Sequence, residues 1–249
     1  MTSVSVAMAV YNGETYLKEQ LDSILIQLKP SDELIISYNE SSDNTWNIIT
    51  AYAEKYPVIH IFTCNEKGVF ANFENAILHC TNDIIFLCDQ DDVWNPDKVE
   101  TVVKTMEKDH SILALHNCEY TDEHLNSQNL DLFKDRNVKE GYFHNLLING
   151  YQGSCMAFRK DLISLIIPIP REIAMHDQWI GLLAEKAGKI SFIDQSLMKY
   201  RRHEDSSSSD YVGISRKIRW MILMNSEIRK RTKKSSETVK LLRKRYFEK

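Results

Sequence analysis

Ile84-Ile85-Phe86-Leu87-Cys88-Asp89-Gln90-Asp91-Asp92-Val93-Trp94-Asn95-Pro96 is the stretch that decides the fold. Five apolar residues, rich in branched and aromatic side chains, end abruptly in clustered acids. Such a run reads as a buried strand delivering carboxylates to its C-terminal edge. In open α/β sheets that edge is where ligands bind. Three like charges within four residues repel, so an offsetting cation is expected. A divalent ion suits carboxylate oxygen and leaves positions for phosphate oxygens. The plainer alternative is a solvated acidic loop, with Asp92 capping the helix that begins near Pro96.

On either side of this stretch, strand and helix signals alternate. Strands are expected over residues 4–10, 33–37, 58–63 and 112–116. A helix is expected over 16–28, where Leu17, Leu21, Ile24, Leu25 and Leu28 share a face. Another follows over 45–55, capped by Asp43, with Trp46, Ile49, Tyr52 and Ala53 turned inward. A third covers 70–80, and a fourth covers 96–108 with proline in its first turn. This rhythm predicts an α/β fold with a parallel, doubly wound sheet. The second half is less regular. Residues 121–140 read as polar loop, 143–148 as helix, 154–158 as strand, 160–166 as a short helix, 177–186 as helix and 190–194 as strand. Residues 204–210, with Ser206-Ser207-Ser208-Ser209, read as a flexible segment. Terminal helices are expected over 214–224 and 227–247.

With 249 residues the chain suffices for one large α/β domain. Its 43% hydrophobic and 27% charged content suits a soluble globule and argues against disordered or membrane-spanning classes. Five cysteines without CxxC spacing, mostly inside apolar runs, read as reduced packing residues, and no zinc site is suggested. The opening Met1-Thr2-Ser3-Val4 lacks the basic start of a signal peptide, and no apolar run approaches the ~20 residues that span a bilayer. A cytoplasmic location is expected. The net charge of −4 hides an asymmetry: residues 214–249 hold 13 Lys/Arg and 3 Asp/Glu, against 18 and 32 in the remainder. Ile214-Ser215-Arg216-Lys217-Ile218-Arg219-Trp220-Met221-Ile222-Leu223-Met224 reads as an interfacial helix at the inner face of a membrane. The alternative is a packed terminal helix with its basic face in water. Nucleic-acid binding is not expected, because the body is acidic and no groove-reading motif is present.

Five motifs then stand in order. Val4-Ser5-Val6-Ala7-Met8-Ala9-Val10-Tyr11-Asn12-Gly13 resembles the opening of family 2 glycosyltransferases. Asp89-Gln90-Asp91-Asp92-Val93-Trp94 resembles their metal-binding DxD motif. Gly153-Ser154-Cys155-Met156-Ala157-Phe158-Arg159 is similar to the strand lining the donor-sugar site. His176-Asp177-Gln178-Trp179 is similar to the segment carrying the catalytic base, and Tyr200-Arg201-Arg202-His203 to the segment that closes the site. The resemblance covers about residues 3–205. It implies the GT-A fold: a Rossmann-like, mostly parallel central sheet flanked by helices. A nucleotide-sugar-binding half over 1–117 would merge with an acceptor-binding half over 118–212, followed by a basic helical tail over 213–249. Within the family, the DQDD and HDQW pairing is most like bacterial rhamnosyltransferases of polysaccharide assembly.

The implied reaction moves a sugar from a nucleoside diphosphate donor, dTDP or UDP, to a hydroxyl of a growing saccharide, free or lipid-linked. Mn2+ or Mg2+ would stabilise the charge gathering on the departing diphosphate. By resemblance, Asp91 is the direct metal ligand, and Asp89 contacts the ribose or the metal shell. His203 is an extra ligand or a plain loop histidine. Asp177 takes the proton of the attacking hydroxyl, or merely starts a helix. A single base opposite the leaving group implies inversion. Gly153 and Ser154 line the sugar site. His176 and Trp179 shape the acceptor pocket, with Trp179 equally readable as core. Ala9 and Tyr11 contact the base, unless Tyr11 is packing. Lys67 and Asn72 flank a helix N-terminus suited to phosphate, which a simple cap also explains.

One segment departs from the pattern. Where the family usually shows two aspartates, then Gly-Ser-x-Asp-x-Thr, this chain has Tyr38-Asn39-Glu40-Ser41-Ser42-Asp43-Asn44-Thr45. An aspartate there accepts the N3–H of uracil or thymine. Asn39 still offers an oxygen, but a neutral acceptor is weaker by ~1 kcal/mol. The departure motivates a second expectation, a degenerate member serving as a non-catalytic binding partner.

Overall fold

The computed structural model describes residues 2–203 and 213–247, so the serine-rich segment at 204–210 lies outside the described residues. Strand β4 (Ile84–Cys88) runs inside a mixed sheet, every residue buried. That explains its unbroken apolar run: a strand covered on both faces has no polar side to show. β1 (Val4–Val10) pairs with it in parallel, then come β2 (Glu33–Tyr38) and β3 (Ile59–Thr63), also parallel. Between them lie α1 (Leu17–Leu25), α2 (Thr45–Lys55) and α3 (Val69–His79). Asp43 steadies the start of α2, its Oδ1 accepting from the Thr45 amide at 3.1 Å. Trp46, expected inward, is half-exposed beside the Tyr38 ring.

Beyond β4 the parallel rhythm gives way. After β5 (Val93–Trp94), α4 (Lys98–Asp109) and β6 (Leu113–Thr121) come β7 (Ser127–Asp131) and α5 (Leu132–Asp135), inside the stretch expected to be loop. α6 (Tyr142–Leu147) leads to β8 (Met156–Arg159), which is antiparallel to both β4 and β6. β9 (Ile190–Arg201) runs parallel to β6 and antiparallel to β5. The spatial order is β3-β2-β1-β4-β8-β6-β9-β5, with β7 beside β6. β9 outruns its expected end at 194 because the ladder shifts register near Asn117 and then continues. Such bulges bend and twist a strand without ending it. The extension matters: it carries Arg201 back to the acids after β4.

α7 (Ile163–Ile166) precedes α8 (His176–Ala187), which is buried on nearly every side. Its outer cover is α9 (Ile214–Lys234) and α10 (Ser236–Tyr246), through buried Met224, Ile228, Leu242 and Tyr246. Burying each such apolar side chain contributes roughly 1.5–3 kcal/mol. The tail is therefore part of the domain's packing from Met221 onward. Among the described residues no helix is long and apolar enough to cross a membrane. The five cysteines are free, and all but Cys64 are buried.

Candidate active site

The groups singled out above, Trp179 excepted, lie at the C-terminal edge of β1, β2 and β4 or on the elements facing it. β4 stops at Cys88, and the acids follow. Gln90, between them, is turned toward the end of β1. Its Oε1 accepts from the Tyr11 amide and its Nε2 donates to the Tyr11 carbonyl, both at 2.8 Å. This pins the acidic turn to the β1–α1 loop. Gly13 makes the approach possible, since a Cβ there would sit 2.7 Å from Gln90 Oε1. The Tyr11 ring itself is exposed.

Asp91 meets His203, Oδ2 to Nε2, at 2.9 Å, and the His203 ring lies 5.1 Å from Tyr16. Asp92 does not cap a helix. α4 begins two residues after Pro96, and Asp92 is fully buried with Oδ1 accepting the Arg201 amide at 3.1 Å. The helix reading failed because the β5 strand intervenes and turns the side chain inward. Arg201, 3% exposed, closes the arrangement. Its Nε donates to the Asp91 carbonyl at 2.8 Å, its other nitrogens reach Glu19 and the Glu123 carbonyl, and its guanidinium lies 4.4 Å over Tyr16. The cation's charge serves the loop backbone and Glu19, leaving the Asp91 carboxylate free for other partners.

The electrostatics follow from this crowding. Burial, then Asp91 and Asp177, push the Asp89 carboxyl up to about 7. Burial, then Asp91 and Asp89, raise the Asp92 carboxyl well above the usual carboxylate range. Lys98 sits beneath them, fully buried, with Nζ donating to the Ser154 carbonyl at 2.8 Å and lying 3.8 Å from the Trp94 ring centre. Burial pulls its ammonium down to about 8. Among the described residues no three His, Cys, Asp or Glu side chains form one cage. A carboxylate–imidazole pair with a second carboxylate nearby suits an ion that draws its remaining ligands from water and phosphate oxygens.

On the opposite wall, Asp177 is the second residue of α8 and 2% exposed. Its Oδ1 accepts from Asn149 Nδ2 at 3.2 Å and from the Gln178 amide at 2.5 Å. Gly153 abuts this wall, for a Cβ there would lie 3.2 Å from His176 Nε2 and 3.8 Å from Asp177 Cβ. The donor-strand glycine and the HDQW segment are thus neighbours. His176 stacks on Phe73 at 4.5 Å, and burial holds it neutral by lowering its pKa. Trp179 lies elsewhere. It is fully buried, Nε1 donating to the Ile166 carbonyl at 2.9 Å, so it belongs to the core and cannot stack on a sugar. It lies two positions after Asp177, so the two side chains leave nearly opposite sides of α8.

The nucleotide side holds a cleft of about 430 Å³ lined by Tyr38, Asn39, Glu40, Trp46, Thr63, Cys64, Asn65 and Lys67. Asn39 Nδ2 donates to the carbonyls of Cys64 at 2.7 Å and Glu66 at 3.0 Å. Both amide hydrogens are committed to the loop, which leaves Oδ1 as the available acceptor. Asn72 is buried, and its Nδ2 donates to the Val10 carbonyl at 3.1 Å, so it anchors α3 to β1. Ala9, partly exposed, pairs across β1 and β2 with Ser37. Several polar atoms at this edge are buried without a hydrogen-bond partner: Asn72 Oδ1 and both ring nitrogens of His176; the Ser154 side chain bonds the Asp89 carboxylate. Native interiors tolerate few such atoms, and a cluster at a cleft marks a place for ligand or water. Sequence reading missed Gln90, Lys98, Asn149 and Arg201 as contributors. Gln90 and Arg201 carried a signal, as parts of the acidic and closing motifs, and Lys98 and Asn149 carried none.

Fold and site together define an α/β protein with an acidic turn and a second buried carboxylate at the C-terminal edge of its sheet. The family model for glycosyl transferase family 2 matches residues 5–166, and the chain belongs to that family. It is 26% identical over 211 residues to an uncharacterized glycosyltransferase of Nostoc sp., covering 80% of this chain and 65% of that protein. It is also 26% identical over 237 residues to the dTDP-rhamnosyl transferase RfbG of Shigella flexneri, covering 88% and 80%. Among solved structures, S. aureus TarS in complex with UDP-GlcNAc superposes with a TM-score of 0.68 at 19% identity, over 90% of this chain and 66% of that one. The mannosyltransferase PcManGT from Pyrobaculum calidifontis, in complex with GDP-Man and Mn2+, gives 0.59 at 18%, over 82% and 58%. These likenesses establish the GT-A fold. The chain spans about two thirds of the length of the Nostoc relative and of TarS.

Proposed function

We propose that the protein is an inverting, metal-dependent glycosyltransferase that moves a sugar from a nucleoside diphosphate to a hydroxyl of a growing bacterial saccharide. Three observations support this reading: the Asp91–His203 pair, the Ser154 bond to Asp89, and Gly153 abutting His176 and Asp177, with unpartnered polar atoms beside them. Asp89 and Asp91, with His203, would hold Mn2+ or Mg2+. The ion supplies positive charge where the diphosphate becomes a leaving group.

The remaining steps belong to the chain's own residues. Asn39 Oδ1 accepts the N3–H of a uracil or thymine ring seated beside Tyr38 and Trp46, and Tyr11 covers the base from β1. Lys67, at the cleft rim, meets the phosphates. The His176 ring bonds sugar hydroxyls, satisfying atoms that otherwise stay unpaired, and Ser154 lines the sugar site beside Asp89. Asp177, oriented by Asn149, takes the acceptor proton as the new bond forms. The RfbG likeness favours a deoxythymidine diphosphate donor and rhamnose as the sugar; the TarS complex keeps uridine diphosphate sugars in the test panel. The setting proposed is cell-surface polysaccharide synthesis at the cytoplasmic side of the membrane, with the basic tail as a peripheral contact.

The test is turnover of a panel of nucleoside diphosphate sugars with Mn2+ or Mg2+, with the product anomer read by NMR. Transfer with inverted configuration is expected. No turnover of any donor, together with no nucleotide binding, would favour the non-catalytic partner motivated by Tyr38 and Asn39.

A further inference from the structure

The surface around α6 carries large apolar side chains that no other described residue covers. Phe143 is 75% exposed, and Leu147 and Ile148 follow it into solvent. On α9, Ile222 is 61% exposed and Ile218 also faces water. The two sets are joined. The Phe143 ring stands edge-on to Tyr142, centroids 5.5 Å apart. Tyr142 donates its hydroxyl proton to Asn225 Oδ1 at 2.9 Å. Asn225 lies seven residues after Ile218 and three after Ile222, so all three share one stripe of α9. Contiguous apolar area of this kind marks a docking surface, unlike scattered single residues.

The charges nearby choose the occupant. Arg216, Lys217 and Arg219 are exposed beside Ile218, and no acid appears on α9 before Glu227, which Lys230 holds at 2.6 Å. Around α6, Lys139 and Glu140 are exposed and offset one another, while Glu185 bonds Tyr151 and Asn145. A second copy of this chain about a two-fold axis would set the α9 cations against themselves. An anionic bilayer answers both the apolar area and the cations.

We infer that α6 and the first half of α9 form one docking face for an anionic lipid surface, and that this face delivers a membrane-anchored acceptor to Asp177. The second clause rests on the transferase reading. Its geometry is direct: Ile148, the last exposed apolar residue after α6, is followed by Asn149, whose side chain holds the Asp177 carboxylate. An acceptor whose lipid stays in the bilayer would bring its saccharide to that point. The core contacts of α9 begin at Met221, so its turns before that residue, and the outer face that carries Ile222, are free to lie on the membrane.

The test uses the full chain and sedimenting vesicles, either pure phosphatidylcholine or equal parts phosphatidylcholine and phosphatidylglycerol. Binding to the mixed vesicles is expected, with little to the neutral ones. Phe143→Glu and Ile222→Glu should each weaken it about tenfold or more, the loss for one buried apolar side chain. Arg216→Glu with Lys217→Glu should abolish the preference for phosphatidylglycerol. Ile26→Glu, at an exposed apolar residue at the end of α1, should bind as the parent does. Loss with Ile222→Glu but not Phe143→Glu would overturn the joint face. So would dimerisation in sedimentation velocity that the same two variants abolish, because the face would then belong to a second copy. Nucleoside diphosphate binding measured alongside reports separately on the transferase reading: vesicle binding without nucleotide binding would sink that reading and leave the docking face.

Discussion

Asp177→Asn removes the proposed base and keeps its shape. Asp177 Oδ1 accepts from Asn149 and from the Gln178 amide, and an asparagine oxygen can keep both bonds. The structural loss is confined to a carboxylate at a helix N-terminus, worth about 0.3–1 kcal/mol through the helix dipole. The chemical loss is larger. A positioned base contributes about 10²–10⁴-fold, which is about 2.7–5.5 kcal/mol of barrier at ~1.4 kcal/mol per tenfold. The two effects differ enough to be separated. Single-turnover transfer in the presence of Mn2+, with donor affinity measured by calorimetry, should show kcat reduced at least about a hundredfold and nucleotide affinity kept within about twofold. Turnover within about threefold of the parent, with only a small fall in Tm, would leave Asp177 as a helix-start residue and refute the reasoning.

Asn39→Asp should destabilise the protein rather than improve the donor site, because a carboxylate oxygen would face the Cys64 and Glu66 carbonyls that now accept from Nδ2. A loss of about 1–3 kcal/mol is expected in thermal unfolding, and tighter uridine diphosphate binding at unchanged Tm would contradict it. With the Asp89 pKa raised to about 7 in the folded chain, the folded state holds the extra proton more firmly than the unfolded one. The metal-free protein should therefore become more stable as pH falls from about 8 toward about 5, and metal-dependent nucleotide affinity should weaken over the same fall, since protons compete for the carboxylate. Flat profiles in both would remove the crowding argument. Arg201→Lys should raise KM for the donor, since one ammonium cannot reach the Asp91 and Glu123 carbonyls and Glu19 together; unchanged kinetics would deny the clasp a role in holding the acidic turn.

Much of the fold was legible because its strongest signals are local. The β4 run was predicted to the residue, as was α2, since burial on both faces and the Asp43 turn leave direct marks in composition. Pairing direction leaves none. Met156–Arg159 reads as a strand whether its neighbours run with it or against it, so the antiparallel β8 was invisible. The polar residues at 194–196 looked like a strand end, although the backbone ladder only shifts there and resumes. At the site, residue types were readable and orientations were not. Trp179 and Asp177 are two positions apart on α8, yet one bonds Ile166 in the core and the other meets Asn149 at the cleft. Asp92 was assigned to a helix cap because nothing in the sequence announces the two-residue strand that turns it toward Arg201.

Calorimetric titration of uridine and thymidine diphosphates, with Mn2+ and with a chelator, on the parent chain and on Asp91→Ala, bears most directly on the central claim. The account predicts binding by the parent only when the metal is present, and none by the variant under either condition. Equal affinity with and without the ion, or full metal-dependent binding by Asp91→Ala, would contradict it.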